Sequence, residues 1–185
     1  EDSNKPDLVL DEYWYEGGLP EVVEALGASG LPTVLDWLVR YERAAGKSEW
    51  SFSRPSICER RDPHRDVEDA LIDLVRDLSL ARMVADPDGT ANLLQGAGSM
   101  LARRIAMFAA AEALRGAAPG STSSGALVAA GVRLLFDPPS NDERCRIEFG
   151  ELARQLGRHD PGALEPLVKM ITAGPPQGAA DLRER

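Results

Sequence analysis

The sequence predicts an all-α chain: an irregular α-solenoid of the HEAT or TPR kind, made of antiparallel hairpins of about seven or eight helices. Three observations predict it. Apolar residues recur at helical spacing in segment after segment, no persuasive run of period-two alternation occurs, and the connections are mostly short and rich in Gly, Pro and Asp. Helices joined this way pack as antiparallel neighbours. Hairpins opening near Pro20, Asp66, Gly125 and Pro161 have the irregular spacing of a degenerate repeat.

Residues 1–7 form a polar lead-in expected to fray, and residues 8–15 end in the aromatic group Tyr13, Trp14 and Tyr15 before Gly17-Gly18. The aromatic group caps a core end or, if exposed, offers a partner-binding patch. Pro20 starts a short helix that Gly27 to Gly30 end, and Pro32 starts another. In the second of these, Val34, Leu35, Leu38, Val39 and Tyr41 share a face, and Gly46 stops it.

The organising stretch covers residues 49–114. It opens on the aromatic, proline-pinned segment from Trp50 to Ile57, followed by a charged, turn-like run. Asp66 then caps a long helix carrying Leu71, Leu74, Val75 and Leu78, with Ile72 and Val84 widening the stripe. Asp86-Pro87-Asp88-Gly89 ends it, and residues 90–95 form a short helix. Ser99 caps the next, whose seam is Leu101, Ile105 and Phe108 and whose many alanines permit close approach of a neighbour.

Residues 116–125 read as a flexible loop and residues 126–136 as a helix closed by Asp137-Pro138-Pro139. Ser140 or Asn141 caps a helix expected to face Ile147, Phe149, Leu152 and Leu156 inward. Pro161 opens the last, with the stripe Leu164, Leu167, Val168 and Ile171. The whole is one helical-repeat domain over residues 8–175, with a tail at 176–185.

The chain has 185 residues, 43% of them hydrophobic and 28% charged, which suits one folded core. A net charge of −9, with 20 Asp and Glu against 10 Lys and Arg in the first hundred residues, speaks against a general nucleic-acid binder. It leaves room for a local basic face around Arg103, Arg104, Arg144, Arg146, Arg154 and Arg158. The two cysteines, Cys58 and Cys145, form neither a metal spacing nor a disulfide framework, so a cytoplasmic setting is expected. No apolar run is long enough for a membrane span. Opening on Glu1 instead of Met, the chain reads as a fragment of a longer protein.

Motifs for chemistry fail one by one. Gly46-Lys47-Ser48 resembles the end of a phosphate loop, but Tyr41 stands where its first glycine belongs, and a helix precedes it instead of a strand. Asp69, Asp73 and Asp77 line one side of a helix and could hold a divalent metal, yet read better as a solvated acidic face. His64 and His159 fit no zinc spacing, and no serine occupies a nucleophile elbow. No catalytic residue, cofactor or metal is therefore expected.

Arg54-Pro55-Ser56-Ile57 stands apart. Pro55 biases the preceding residues toward an extended path, and Arg54 can fork onto a carboxylate of a neighbouring helix. We read this as a structural clasp between hairpins in preference to a ligand contact, with Arg54, Pro55, Ile57, Arg76, Asp77 and Arg104 as its members. Tyr13, Trp14, Tyr15 and Trp50 are the candidate partner contacts.

From about Trp50 to Pro175 the chain resembles the C-terminal helical-repeat region of large bacterial STAND or NACHT-type NTPases, a class associated with antiviral defence. The residues are Arg54, Pro55 and Ile57 in an extended element; Leu71, Arg76 and Asp77 in the next helix; Arg103, Arg104, Ile105 and Ala106; then Glu148, Phe149 and Leu152; and Ile171, Gly174 and Pro175 at the end. Ser53 and Cys58 replace the tryptophan and glutamate of the first element. The resemblance implies a non-catalytic arm that binds another protein, with nucleotide hydrolysis in domains upstream. The alternative is a self-contained helical bundle holding a small molecule, or acting as an enzyme, in a pocket between helices, with Arg54, Arg104 and an acidic partner at the site.

Overall fold

The computed structural model describes residues 19–44, 56–58 and 67–173. Eight α-helices and no strand occur among them: α1 Leu19–Leu26, α2 Leu31–Ala44, α3 Val67–Ala85, α4 Pro87–Gly96, α5 Met100–Gly116, α6 Thr122–Phe136, α7 Arg146–His159 and α8 Glu165–Ala173. The fold is all-α, as the periodicity predicts.

Turn chemistry sets most of the boundaries. Gly27, at φ 54°, ends α1 in a left-handed conformation that costs a residue without Cβ little. Asp86 ends α3 and begins α4 at once: its Oδ1 accepts from the Gly89 amide at 2.9 Å, and Pro87 takes the first helical position. The Asp-Pro-Asp-Gly element thus starts a helix as well as stopping one, and α4 begins at Pro87 instead of Thr90. Ser99 Oγ caps α5 at the Ala102 amide, 3.1 Å away. Ser121 caps α6 through the Ser124 amide, also at 3.1 Å, so the helix begins inside the stretch expected to be a loop. The cap and the burial of Ser124 outweigh the low helix propensity of that Ser- and Gly-rich segment.

The helices stack in two rows. In one, α3 packs on α5 and α5 on α7; in the other, α4 packs on α6, and from α2 to α7 successive helices also touch one another. Helices α1 and α2 lie against α3. The most enclosed helix is α5, because the other members of both rows converge on it. Ala102, Ala106, Ala109, Ala110 and Ala111 are fully buried there, and their single methyl groups let α3 and α7 come close. Fully buried Leu31, Leu38, Leu78, Leu94 and Leu156 each contribute about 1.5–3 kcal/mol through removal from water.

Two parts of the apolar pattern turn out differently. On α8, Leu164 of the preceding 3₁₀ turn and Leu167 pack on the core, but Val168, Met170 and Ile171 are exposed, Ile171 by 69%. Helix α8 packs chiefly on the turn before it, so its stripe has only one side to bury. Ile147, expected to face inward, is exposed too, while its neighbour Glu148 is buried against Arg104 of α5 and Leu152 and Leu156 are fully buried.

Candidate functional site

Residues 56–58 run as a short strap against the helices, with Ser56 and Ile57 buried and Cys58 exposed. A strap has no helix or sheet to satisfy its backbone, so side chains must do so. The Ile57 amide donates to Glu148 Oε1 of α7 at 2.9 Å, and the Ile57 carbonyl accepts from Arg76 Nη1 of α3 at a long 3.5 Å.

Both partners are themselves held by opposite charge. Arg104 of α5 meets Glu148 as a fork, Nε to Oε2 and Nη2 to Oε1, each at 3.0 Å. Arg76 donates from Nη1 to Asp73 Oδ1 at 2.6 Å and from Nε to Asp77 Oδ1 at 2.7 Å. Glu148 thus accepts three hydrogen bonds, which is what a buried carboxylate requires if it is to remain charged. Strap, α3, α5 and α7 are tied together at this one point.

Of the sequence-derived clasp, the structure brings Ile57, Arg76 and Asp77 together and places Arg104 on the far side of Glu148. Arg54 and Pro55 lie outside the described residues, as do Tyr13, Trp14, Tyr15 and Trp50. Arg104 is 2% exposed and forked onto Glu148, so a ligand would have to displace that carboxylate to reach it. The acidic row on α3 is not a solvated face: Asp73 is buried against Arg76, and Asp77 is only partly exposed. Among the described residues, no three His, Cys, Asp or Glu side chains are grouped to hold a metal.

The expected basic face is also largely absorbed. Arg103 pairs with Asp137, which receives Gln95 as well and so joins α4, α5 and the end of α6. Arg144 forks onto Asp142 and, by hydrogen bonding, holds its carboxyl down to about 2. Arg154 and Arg115 both engage Glu151. The Gln155 amide and these guanidiniums keep the Glu151 carboxyl below its ordinary range.

Other polar features are local. Ser124 Oγ and His159 Nδ1 lie 2.8 Å apart, pinning the start of α6 to the end of α7. Cys145 is buried against Met100 Sδ, and burial pushes its thiol up to about 11. Ser79 Oγ, buried in α3, has no hydrogen-bond partner among the described residues. A groove of about 470 Å³ separates α2 from α4, floored by Leu35, Val39 and Leu93 and flanked by Asp36 and Arg43. A second cavity, of about 340 Å³, lies between α5 and α7 beside the strap.

Glu148 and Asp73 are the residues that motif reasoning undervalued. Each occupies a position on the buried stripe of its helix, Glu148 between Cys145 and Leu152 and Asp73 between Ile72 and Val75. Arg104 sits likewise beside Leu101 and Ile105. Charges at stripe positions on separate helices are the signal, since they can be buried only if they meet each other.

Neither a known protein-family model, nor a curated protein, nor a solved structure matches this chain significantly. No helix of the described residues is long and apolar enough to cross a membrane.

Proposed function

We propose that this chain is a non-catalytic protein-recognition or scaffolding arm, an irregular HEAT-like solenoid segment serving a larger cytoplasmic NTPase switch protein of the bacterial antiviral-defence class. The observation that carries this reading is the row packing, α3 on α5 on α7 beside α4 on α6. Stacked hairpins pack in this manner, and such stacks present extended surfaces to other proteins. The polar clasp supports the same reading, because its buried charges are turned on one another and on the strap. Such groups hold elements in register instead of serving substrate.

The class of the parent protein rests on the sequence resemblance. Trp37 on α2, 50% exposed, joins Tyr13, Trp14, Tyr15 and Trp50 as a candidate contact, since large aromatics anchor interfaces. The test is affinity capture from infected and uninfected bacterial lysates, followed by mass spectrometry. Wild-type chain should retain one specific protein that Trp37→Ala or alanine replacement of Tyr13, Trp14 and Tyr15 releases. Capture of the same proteins by wild type and every variant, or of none, would count against the arm.

A further inference from the structure

The cavity between α5 and α7 has a chemical character that the clasp does not use. At about 340 Å³ it falls in the range of small-molecule sites. Buried Ser56 and Glu148 line it together with the exposed Cys58. Phe108 and Ile147 supply apolar surface, Ile147 being 42% exposed. Gly150 lines the space, and a Cβ built there would meet nothing within 4 Å, so the volume above it is open.

Among the described lining residues the charges do not balance. Glu148 is met from behind by Arg104 and adds no net charge to the cavity. Arg115 contacts Glu112 and Glu151, and Arg154 shares Glu151, so two carboxylates serve two guanidiniums. The remaining lining cation is Arg146, exposed in the first turn of α7 and without a carboxylate partner among the described residues. A cation at a helix N-terminus lies at the positive end of the helix dipole, which raises the gain from an anion placed beside it. A guanidinium binds a carboxylate through two parallel hydrogen bonds.

We propose that this cavity binds a small organic monoanion, a carboxylate on a flat apolar body, with Arg146 holding the carboxylate and Phe108 and Ile147 covering the body. The groups assigned to the anion, Arg146, Phe108 and Ile147, are not members of the clasp, although the cavity shares Glu148 with it, and the site does not depend on the chain being a recognition arm.

The probes are 2-naphthoate and its uncharged carboxamide, titrated calorimetrically into the whole chain. The acid should bind saturably and the amide far more weakly. Arg146→Gln should weaken the acid by about tenfold or more, the loss expected for a charge-assisted pair. Gly150→Leu, which fills the open space without removing a contact, should abolish binding while the circular dichroism and melting temperature hold. Arg40→Gln on α2 should change nothing. Because Cys145 is buried, iodoacetamide should label Cys58, and bound naphthoate should slow that labelling several-fold. Equal binding of acid and amide, full affinity in either cavity variant, or no binding at millimolar acid would overturn the proposal.

Discussion

Arg104 and Glu148 face each other through two parallel 3.0 Å hydrogen bonds, each side chain only 2% exposed, and Glu148 also accepts the Ile57 amide. A buried ion pair of this kind is weak evidence for added stability, because desolvating two charges costs about as much as their attraction returns. Its effect is on register: the pair fixes where α5, α7 and the strap meet.

Breaking the pair from one side therefore leaves a bare buried charge. Arg104→Ala and Glu148→Ala should each destabilise by about 3–5 kcal/mol in urea unfolding, whereas Arg104→Met with Glu148→Leu should recover most of the loss. In the double variant the Ile57 amide loses its acceptor, so its hydrogen exchange should accelerate even where global stability returns. An additive double variant, or an unchanged Ile57 amide, would remove the clasp from the account.

The second half of the clasp yields a graded expectation. Asp73 and Arg76 are both buried, while Asp77 keeps about a quarter of its side chain in water, at 23% exposure. Asp73→Ala should cost about 3 kcal/mol and Asp77→Ala about 1 kcal/mol or less, since water can replace only the latter partner. Equal losses at the two positions would mean that burial does not govern them.

The sequence reveals the elements better than their pairing. The stripes Leu74, Val75, Leu78 on α3 and Leu101, Ile105 on α5 are periodic and point inward as read. Periodicity is a property of one segment, however, and says nothing about which face meets which. Arg104 and Glu148 are 44 positions apart, and only the row packing brings them together. The start of α6 was hidden for a different reason: Ser and Gly at positions 121–125 read as a loop by propensity, while one capping hydroxyl and a buried Ser124 decide otherwise. Val168 and Ile171 misled because an apolar stripe announces a partner without supplying one.

Two glycines of α6 separate close packing from backbone freedom. A Cβ at Gly131 would lie 3.1 Å from Leu156 Cδ2 and 3.3 Å from Leu152 Cδ1, whereas one at Gly125 would meet nothing within 4 Å. Gly125→Ala should stabilise by about 0.5–1 kcal/mol through helix propensity alone. Gly131→Ala gains the same propensity but must push two core leucines of α7, so it should be neutral or destabilising by about 1 kcal/mol. Paired thermal melts decide it, and equal stabilisation at both sites would mean that α7 yields freely.

Cys145 links the core to pH. Burial is the largest influence on its thiol, opposed by the positive field of Arg104, and the result lies near 11 against an ordinary value of 9.0. A folded-state value above the unfolded one means that the unfolded chain loses its proton first. The stability this contributes is complete below about pH 9 and is lost as the pH rises toward 11. Cys145→Ala, made in a Cys58→Ser background, removes that dependence. It should be less stable than its parent at neutral pH, by about 1 kcal/mol for the lost packing, yet the gap should narrow steadily above pH 9. Tyrosine and lysine titrations affect both proteins alike and cancel in the difference. Urea midpoints measured across this range check it: converging curves place the thiol in the core as a proton-linked group, and parallel curves would show that its burial carries no such linkage.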